Sequence, residues 1–155
     1  MTLIQELMNQ SSLNAFLEGG NMKRFAPSEI RETIQSLVAT EQINLAYALG
    51  DAGLAIYPNS EDMLAINGLL AIIRQDWPEA VELLTELMEC QGTNTQPFTY
   101  VMLVRALRCN LDPATAMRIV RQGLEKYPNQ LELVAESLAL EEFVHAITPS
   151  NEMTQ

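Results

Sequence analysis

The residues whose types could do chemistry are the lone histidine His145, the cysteines Cys90 and Cys109, and the carboxylates Asp76, Glu79, Glu82, Glu86 and Glu89. A thiol activated by an imidazole would be a nucleophile, but that chemistry needs the two side chains in hydrogen-bond reach and a third group to orient the base. No orienting group is evident, and His145, between Val144 and Ala146, reads as a structural or surface residue. The carboxylates suggest a paired acid site until their spacing of 3 and 4 is noticed, which is that of one solvated helix face. Two cysteines make neither a metal cluster nor a disulfide framework, and both are expected to be reduced core or groove residues. No G-x-G-x-x-G, P-loop or H-E-x-x-H occurs, and "GDAG" at 50–53 lacks the basic surroundings a phosphate loop would want. The expectation is a protein that is not an enzyme and takes no cofactor or metal.

What remains is binding, and charge narrows the partner. Nine Lys and Arg against twenty Asp and Glu give a net −11, which repels a polyphosphate backbone and an anionic membrane surface. Five of the nine cations, Arg105, Arg108, Arg118, Arg121 and Lys126, form a local basic band in this acidic chain. No apolar run of about 18 residues is present, so no membrane insertion is expected. The N-terminal "MTLIQELMNQSSLNAF" has no positive n-region and carries Glu6 in its apolar stretch, unlike a signal peptide. The reading is a cytoplasmic protein whose partner is another protein, with no nucleic acid involved. At 155 residues it suits one domain that folds without staples.

The elements that would position a binding surface are all helical. Apolar residues recur at helical spacing over 2–18, 28–40, 43–56, 61–74, 78–90, 97–109, 113–126 and 131–147. Pro27, Pro78, Pro97 and Pro113 stand at or just inside helix starts, and Pro58 and Pro128 follow helix ends. Ser60 and Asp112 are expected N-caps, "QGTNTQ" (91–96) a loop and 148–155 a polar tail. One phrase is written twice: "GLAIYPNS" at 53–60 and "GLEKYPNQ" at 123–130. Working back from each Tyr-Pro, with a unit between, the chain divides into 27–58, 61–92 and 97–128, and Ala46, Ala80 and Ala116 then take one place in each, 34 and 36 residues apart.

A period near 34 with two helices per unit resembles a tetratricopeptide repeat (TPR) array. The family's first-helix pattern is met by Leu64-x-x-Asn67-Gly68-x-x-Ala71 and Tyr100-x-x-Leu103-Val104-x-x-Leu107, and its second-helix pattern by Ala80-x-x-x-Leu84 and Ala116-x-x-x-Val120. In the first unit Ile30, Thr33, Ile34 and Leu37 fill the early slots and Gly50 replaces a large apolar residue. The resemblance implies an all-α solenoid of antiparallel helix pairs, about three repeats, with 2–18 and 131–147 flanking or capping it. Gly53 and Gly123 would let one unit approach the next closely, since a helical glycine costs about 1 kcal/mol against Ala and its reuse implies a packing demand.

The same resemblance implies where a partner would sit. In TPR arrays the first helix of each unit lines a concave groove, and the inward positions here would be Ser28, Arg31, Gln35 and Val38; Asp62, Ala65, Leu69 and Ile72; Phe98, Val101, Arg105 and Arg108. Ala65, Leu69, Ile72, Phe98 and Val101 would hold an apolar segment. Arg105 and Arg108 would orient it through a carboxylate, or else pair internally with Glu82, Glu86 or Glu89. "MLAINGLLAII" (63–73), apolar nearly all round, fits either such a groove or a buried central helix. "FLEGGNMKRF" (16–25) is similar to the segment that precedes the repeats in bacterial type III secretion chaperones for translocator proteins, and "INGLLAIIRQDWPEAVELL" with "PFTYVMLVRALRCNLDP" to the Hrp-type and needle-subunit chaperones. That likeness implies a bacterial cytoplasmic chaperone holding an apolar segment of a secreted client, and leaves a homodimer open. The alternative is a TPR adaptor joining folded partners through its convex or lateral faces.

Overall fold

Helix breakers and caps set the element lengths. A computed structural model describes Leu3 and residues 24–148; the expected helix over 2–18 and the tail beyond 148 lie outside the described residues, Leu3 excepted. The described elements are α1 (Pro27–Ala39), α2 (Ile43–Ile56), α3 (Glu61–Ile73), α4 (Trp77–Gln91), a 3-10 turn (Gly92–Asn94), α5 (Pro97–Cys109), α6 (Pro113–Lys126) and α7 (Leu131–Ile147). No strand occurs among the described residues, and the architecture is all-α, with consecutive helices packed in pairs. Pro27, Pro97 and Pro113 open their helices where a missing N–H leaves no bond unmade. Ser60 Oγ accepts from Met63 N at 3.4 Å and Asp112 Oδ1 from Thr115 N at 3.3 Å, so both expected caps are in place. The expected loop at 91–96 contains the 3-10 turn, with Gly92 at φ 55°. None of the described helices is long and apolar enough to cross a membrane.

The chain forms two compact units, Met1–Asp76 and Trp77–Gln155, so the boundary falls inside the sequence unit 61–92. In the first, α1, α2 and α3 pack on one another around Ile30, Ile34, Leu49, Met63, Ile66 and Leu70, all at most 2% exposed. In the second, α4 packs on α5, α5 on α6, and α7 on both α5 and α6.

A turn that the sequence does not advertise recurs three times. Glu41, Gln75 and Leu111 have φ of 62°, 61° and 61°, the left-handed region that non-glycine residues rarely enter. In each case the left-handed residue's N–H reaches back to a carbonyl three residues earlier (Val38, Ile72, Arg108), and the next N–H reaches one five residues earlier (Leu37, Ala71, Leu107). This is the Schellman arrangement that closes a helix C-terminus. Its spacing of 34 and 36 residues matches that of Ala46, Ala80 and Ala116, each buried at 0%. The repeat is therefore written in backbone geometry as well as in residue type.

The doubled phrase has a physical explanation. Tyr57 Oη donates to Phe25 O at 2.9 Å and Tyr127 Oη donates to Thr95 O at 2.8 Å. In both, the tyrosine ending a second helix ties back to the residue two before the proline that opens the first. The glycines are matched too. A Cβ on Gly53 would lie 2.6 Å from Met63 Sδ and 3.2 Å from Ile30 Cγ2; one on Gly123 would lie 2.8 Å from Leu133 Cδ2 and 2.9 Å from Tyr100 Cγ. Those neighbours are themselves 70 residues apart in the sequence, which aligns α1–α2–α3 with α5–α6–α7. Where a tyrosine would end the middle unit stands Gln91, whose Oε1 accepts from Thr99 Oγ1 at 2.7 Å and from Gln96 N at 3.2 Å. The middle unit thus fastens forward onto α5.

Candidate functional site

In the second unit α4 and α6 stand on either side of α5, and between them lies an open groove of about 960 Å³. Its floor is Tyr100, Leu103 and Leu107 of α5 with Ile119 of α6, all buried. Val81 and Met88, half-buried, form the apolar part of the α4 wall. The rim is polar, with exposed Thr85 and Glu89 on α4 facing exposed Arg118, Gln122 and Glu125 on α6. Lys126 Nζ donates to Thr93 O and joins the end of α6 to the 3-10 turn. The Lys126 ammonium also lies 5.7 Å from the Tyr127 ring centroid, and Tyr127 stands edge-on to Tyr100 at 6.2 Å. The end of the groove beside Tyr100 is thereby built from the same tyrosine that latches the repeat. An apolar floor with a polar rim of both signs can hold an amphipathic segment, burying apolar anchors while leaving its charged side chains in water.

The opposite side of α5 carries a different arrangement. Glu136 of α7 is 6% exposed; its Oε1 accepts from Arg105 Nε at 2.8 Å and lies 2.7 Å from Arg105 Nη2, a charge-assisted contact. Arg108 Nη2 donates to its other oxygen at 3.2 Å. The arginine side chains keep 38% and 25% of their surface. Two cations on one buried carboxylate leave one net positive charge there. The Arg108 Nε is buried with no hydrogen-bond partner.

The expected groove residues fall as follows. Ala65 is buried at 3%, while Leu69 and Ile72 are half-buried, Leu69 against the core of the first unit. Met63 through Gly68, Leu70 and Ala71 are all buried, so "MLAINGLLAII" is mainly a core helix. In the second unit Phe98 is half-buried and Val101 is 1% exposed. Arg105 and Arg108 share a stripe with these two and are engaged by Glu136 rather than by the α4 carboxylates. At about 3.6 residues per turn, that stripe lies opposite Tyr100, Leu103 and Leu107. The large groove of this unit is thus on the second-helix side of α5, lined by Val81, Thr85, Met88 and Gln122, none of which belongs to the expected row. The basic band is divided accordingly: Arg118 and Lys126 line the groove, Arg121 lies on the outer face of α6, and Arg105 and Arg108 face α7.

The groups weighed for catalysis are dispersed. His145 is exposed on α7, and Glu82, Glu86 and Glu89 are exposed on α4 as one solvated face. Cys109 is a half-buried free thiol. Cys90 is exposed, contrary to the expectation of a core or groove position, because it lies in the last turn of α4 beyond the buried row Leu83, Leu84 and Leu87. No known family model matches the chain, and no curated protein matches it.

Proposed function

We propose that this protein is a TPR-type protein-binding module that holds an amphipathic segment of a partner, and that the partner is a secreted client which it chaperones in the bacterial cytoplasm before type III export. The observation that carries the binding reading is the open groove over Tyr100, Leu103 and Leu107, walled by Val81 and Met88 and rimmed by charges of both signs. An apolar floor of that kind gives affinity to whatever brings apolar anchors, and the rim keeps the empty protein in solution. The export setting is supported by the likeness of "FLEGGNMKRF" and of the 66–84 and 97–113 segments to the secretion chaperones, and by the acidic charge that disfavours nucleic acid and membrane.

One observation favours the adaptor as second reading. The groove lies on the second-helix side of α5, whereas a chaperone of the resembled type would use the first-helix row of Phe98, Val101, Arg105 and Arg108. Co-expression with the products of adjacent genes separates the two. The chaperone reading expects an aggregation-prone neighbour to become soluble in complex with this chain; the adaptor reading expects a neighbour that is soluble and folded without it. Filling the groove from its exposed rim with Thr85→Trp should weaken either complex without disturbing the helices.

A further inference from the structure

We propose that the outer face of α7 is a second docking surface, separate from the α4–α6 groove, and that its occupant is a basic amphipathic helix of another protein. The helix turns Leu133, Glu136 and Leu140 inward, at 0%, 6% and 0% exposure. Directly opposite, Leu131, Val134 and Leu138 remain 82%, 37% and 56% exposed, with exposed Ala135 between them. A surface helix ordinarily has a polar outward face. This one does not have it.

The internal register says what kind of surface it is. The alignment set by Gly53 with Met63 and Gly123 with Leu133 places Val134, Ala135 and Leu138 at the positions of Leu64, Ala65 and Gly68 in α3. Leu64 and Ala65 are 1% and 3% exposed and Gly68 is buried, so in α3 the same positions are out of water. In α7 the same face is still apolar and is open. Leu138, where α3 has glycine, projects outward as a knob, which suits a single helix presenting a gap between its own apolar residues.

Charge selects the occupant. Glu132, Glu141 and Glu142 are all exposed around or just beyond the apolar turns, and the described part of α7 carries no Lys or Arg. A second copy of α7 laid against the first would bring these carboxylates toward their own kind, in a chain of net charge −11. A helix with leucines at spacings of 3 and 4 and a flank of Lys or Arg would bury the stripe and neutralise the acids.

The probe is a synthetic Leu/Ala/Lys peptide of about 18 residues, roughly five helical turns, with leucines at helical spacing and lysines on one flank. A second peptide has Glu in place of every Lys. The full chain is titrated with each by fluorescence anisotropy. The lysine peptide should bind and the glutamate peptide should not. Leu131→Ser/Leu138→Ser should weaken binding by about tenfold or more, and Glu141→Gln/Glu142→Gln should weaken it and flatten its salt dependence. Both variants change exposed side chains, and their circular dichroism spectra should match the parent. Thr85→Trp, in the groove, should leave this binding unchanged. Equal binding of the two peptides, or undiminished binding by the serine variant, would overturn the proposal. So would a dimer in sedimentation that Leu138→Ser dissociates, since the occupant would then be a second copy.

Discussion

Gly123→Ala adds one carbon at a seam between α5, α6 and α7. That carbon would lie 2.8 Å from Leu133 Cδ2 and 2.9 and 3.1 Å from Tyr100 Cγ and Cδ1. Leu133 is 0% exposed and Tyr100 is 4% exposed, and the near atom of the tyrosine is the root of its ring, so the relief has to come from moving helices. Alanine returns about 1 kcal/mol of helix propensity, against about 1–3 kcal/mol of overpacking. The net expectation is a loss of about 0–2 kcal/mol. Gly53→Ala is the internal control, since its nearest atom is Met63 Sδ at 2.6 Å, in an unbranched side chain that repacks readily, followed by Ile30 Cγ2 at 3.2 Å. Its net change should be within about 1 kcal/mol of zero, below that of Gly123→Ala. Gly123→Leu, with further carbons and nowhere to place them, should lose about 3 kcal/mol. Urea unfolding followed by far-UV circular dichroism measures all three. Combining Gly123→Ala with Leu133→Ala should show a coupling of at least about 0.5 kcal/mol in favour of the pair. A Gly123→Ala protein as stable as the parent, with no coupling to Leu133, would refute the seam.

Tyr57→Phe and Tyr127→Phe should each lose about 1 kcal/mol, by nearly equal amounts because the two latches have the same geometry; a loss at only one of them in urea unfolding would show that the repeated phrase is not a repeated interaction. Leu111→Gly should stabilise by about 1 kcal/mol, since Leu111 holds φ 61° while 75% exposed and gives up little burial; an unchanged or lower midpoint would contradict the strain. Arg105→Ala/Arg108→Ala should destabilise by about 3 kcal/mol, leaving Glu136 buried without a cation, whereas Glu136→Gln should lose less because the arginines remain partly in water; the reverse order of midpoints would show that the pairs contribute little.

Helix positions were legible because this sequence punctuates them. Pro97 and Pro113 sit at N1, Ser60 and Asp112 cap, and the expected bounds of α2, α5, α6 and α7 coincide with those observed. The doubled Gly-Leu-x-x-Tyr-Pro-Asn gave the repeat period, but the tyrosine's acceptor, 32 residues upstream and a backbone carbonyl of any residue type, could not be read. The recurring left-handed turn was hidden for a related reason: Glu, Gln and Leu occupy a place usually marked by Gly or Asn. The candidate site was the least legible. Eight of the thirteen residues of α5 are buried, so its periodicity does not say which side stays open, and a resemblance alone points to the row of Phe98, Val101, Arg105 and Arg108. That Glu136 would fold inward against Arg105 and Arg108 had no signal either, since α7 carries glutamates on several sides.

Whether a partner segment enters the groove between α4 and α6, as proposed, is decided by site-specific photocrosslinking in cells. A benzophenone amino acid is placed singly at Thr85 and Gln122 on the rim, at Phe98 on the opposite side of α5, and at Glu125 as a more distal rim position, with the client co-expressed. Occupancy of the groove should give strong crosslinks from positions 85 and 122 to one apolar stretch of the client, abolished when Met88→Asp is added, with weaker ones from position 125 and little from position 98. Crosslinks concentrated at position 98 and absent from 85 and 122 would contradict it, and would return the client to the row of Phe98, Val101, Arg105 and Arg108.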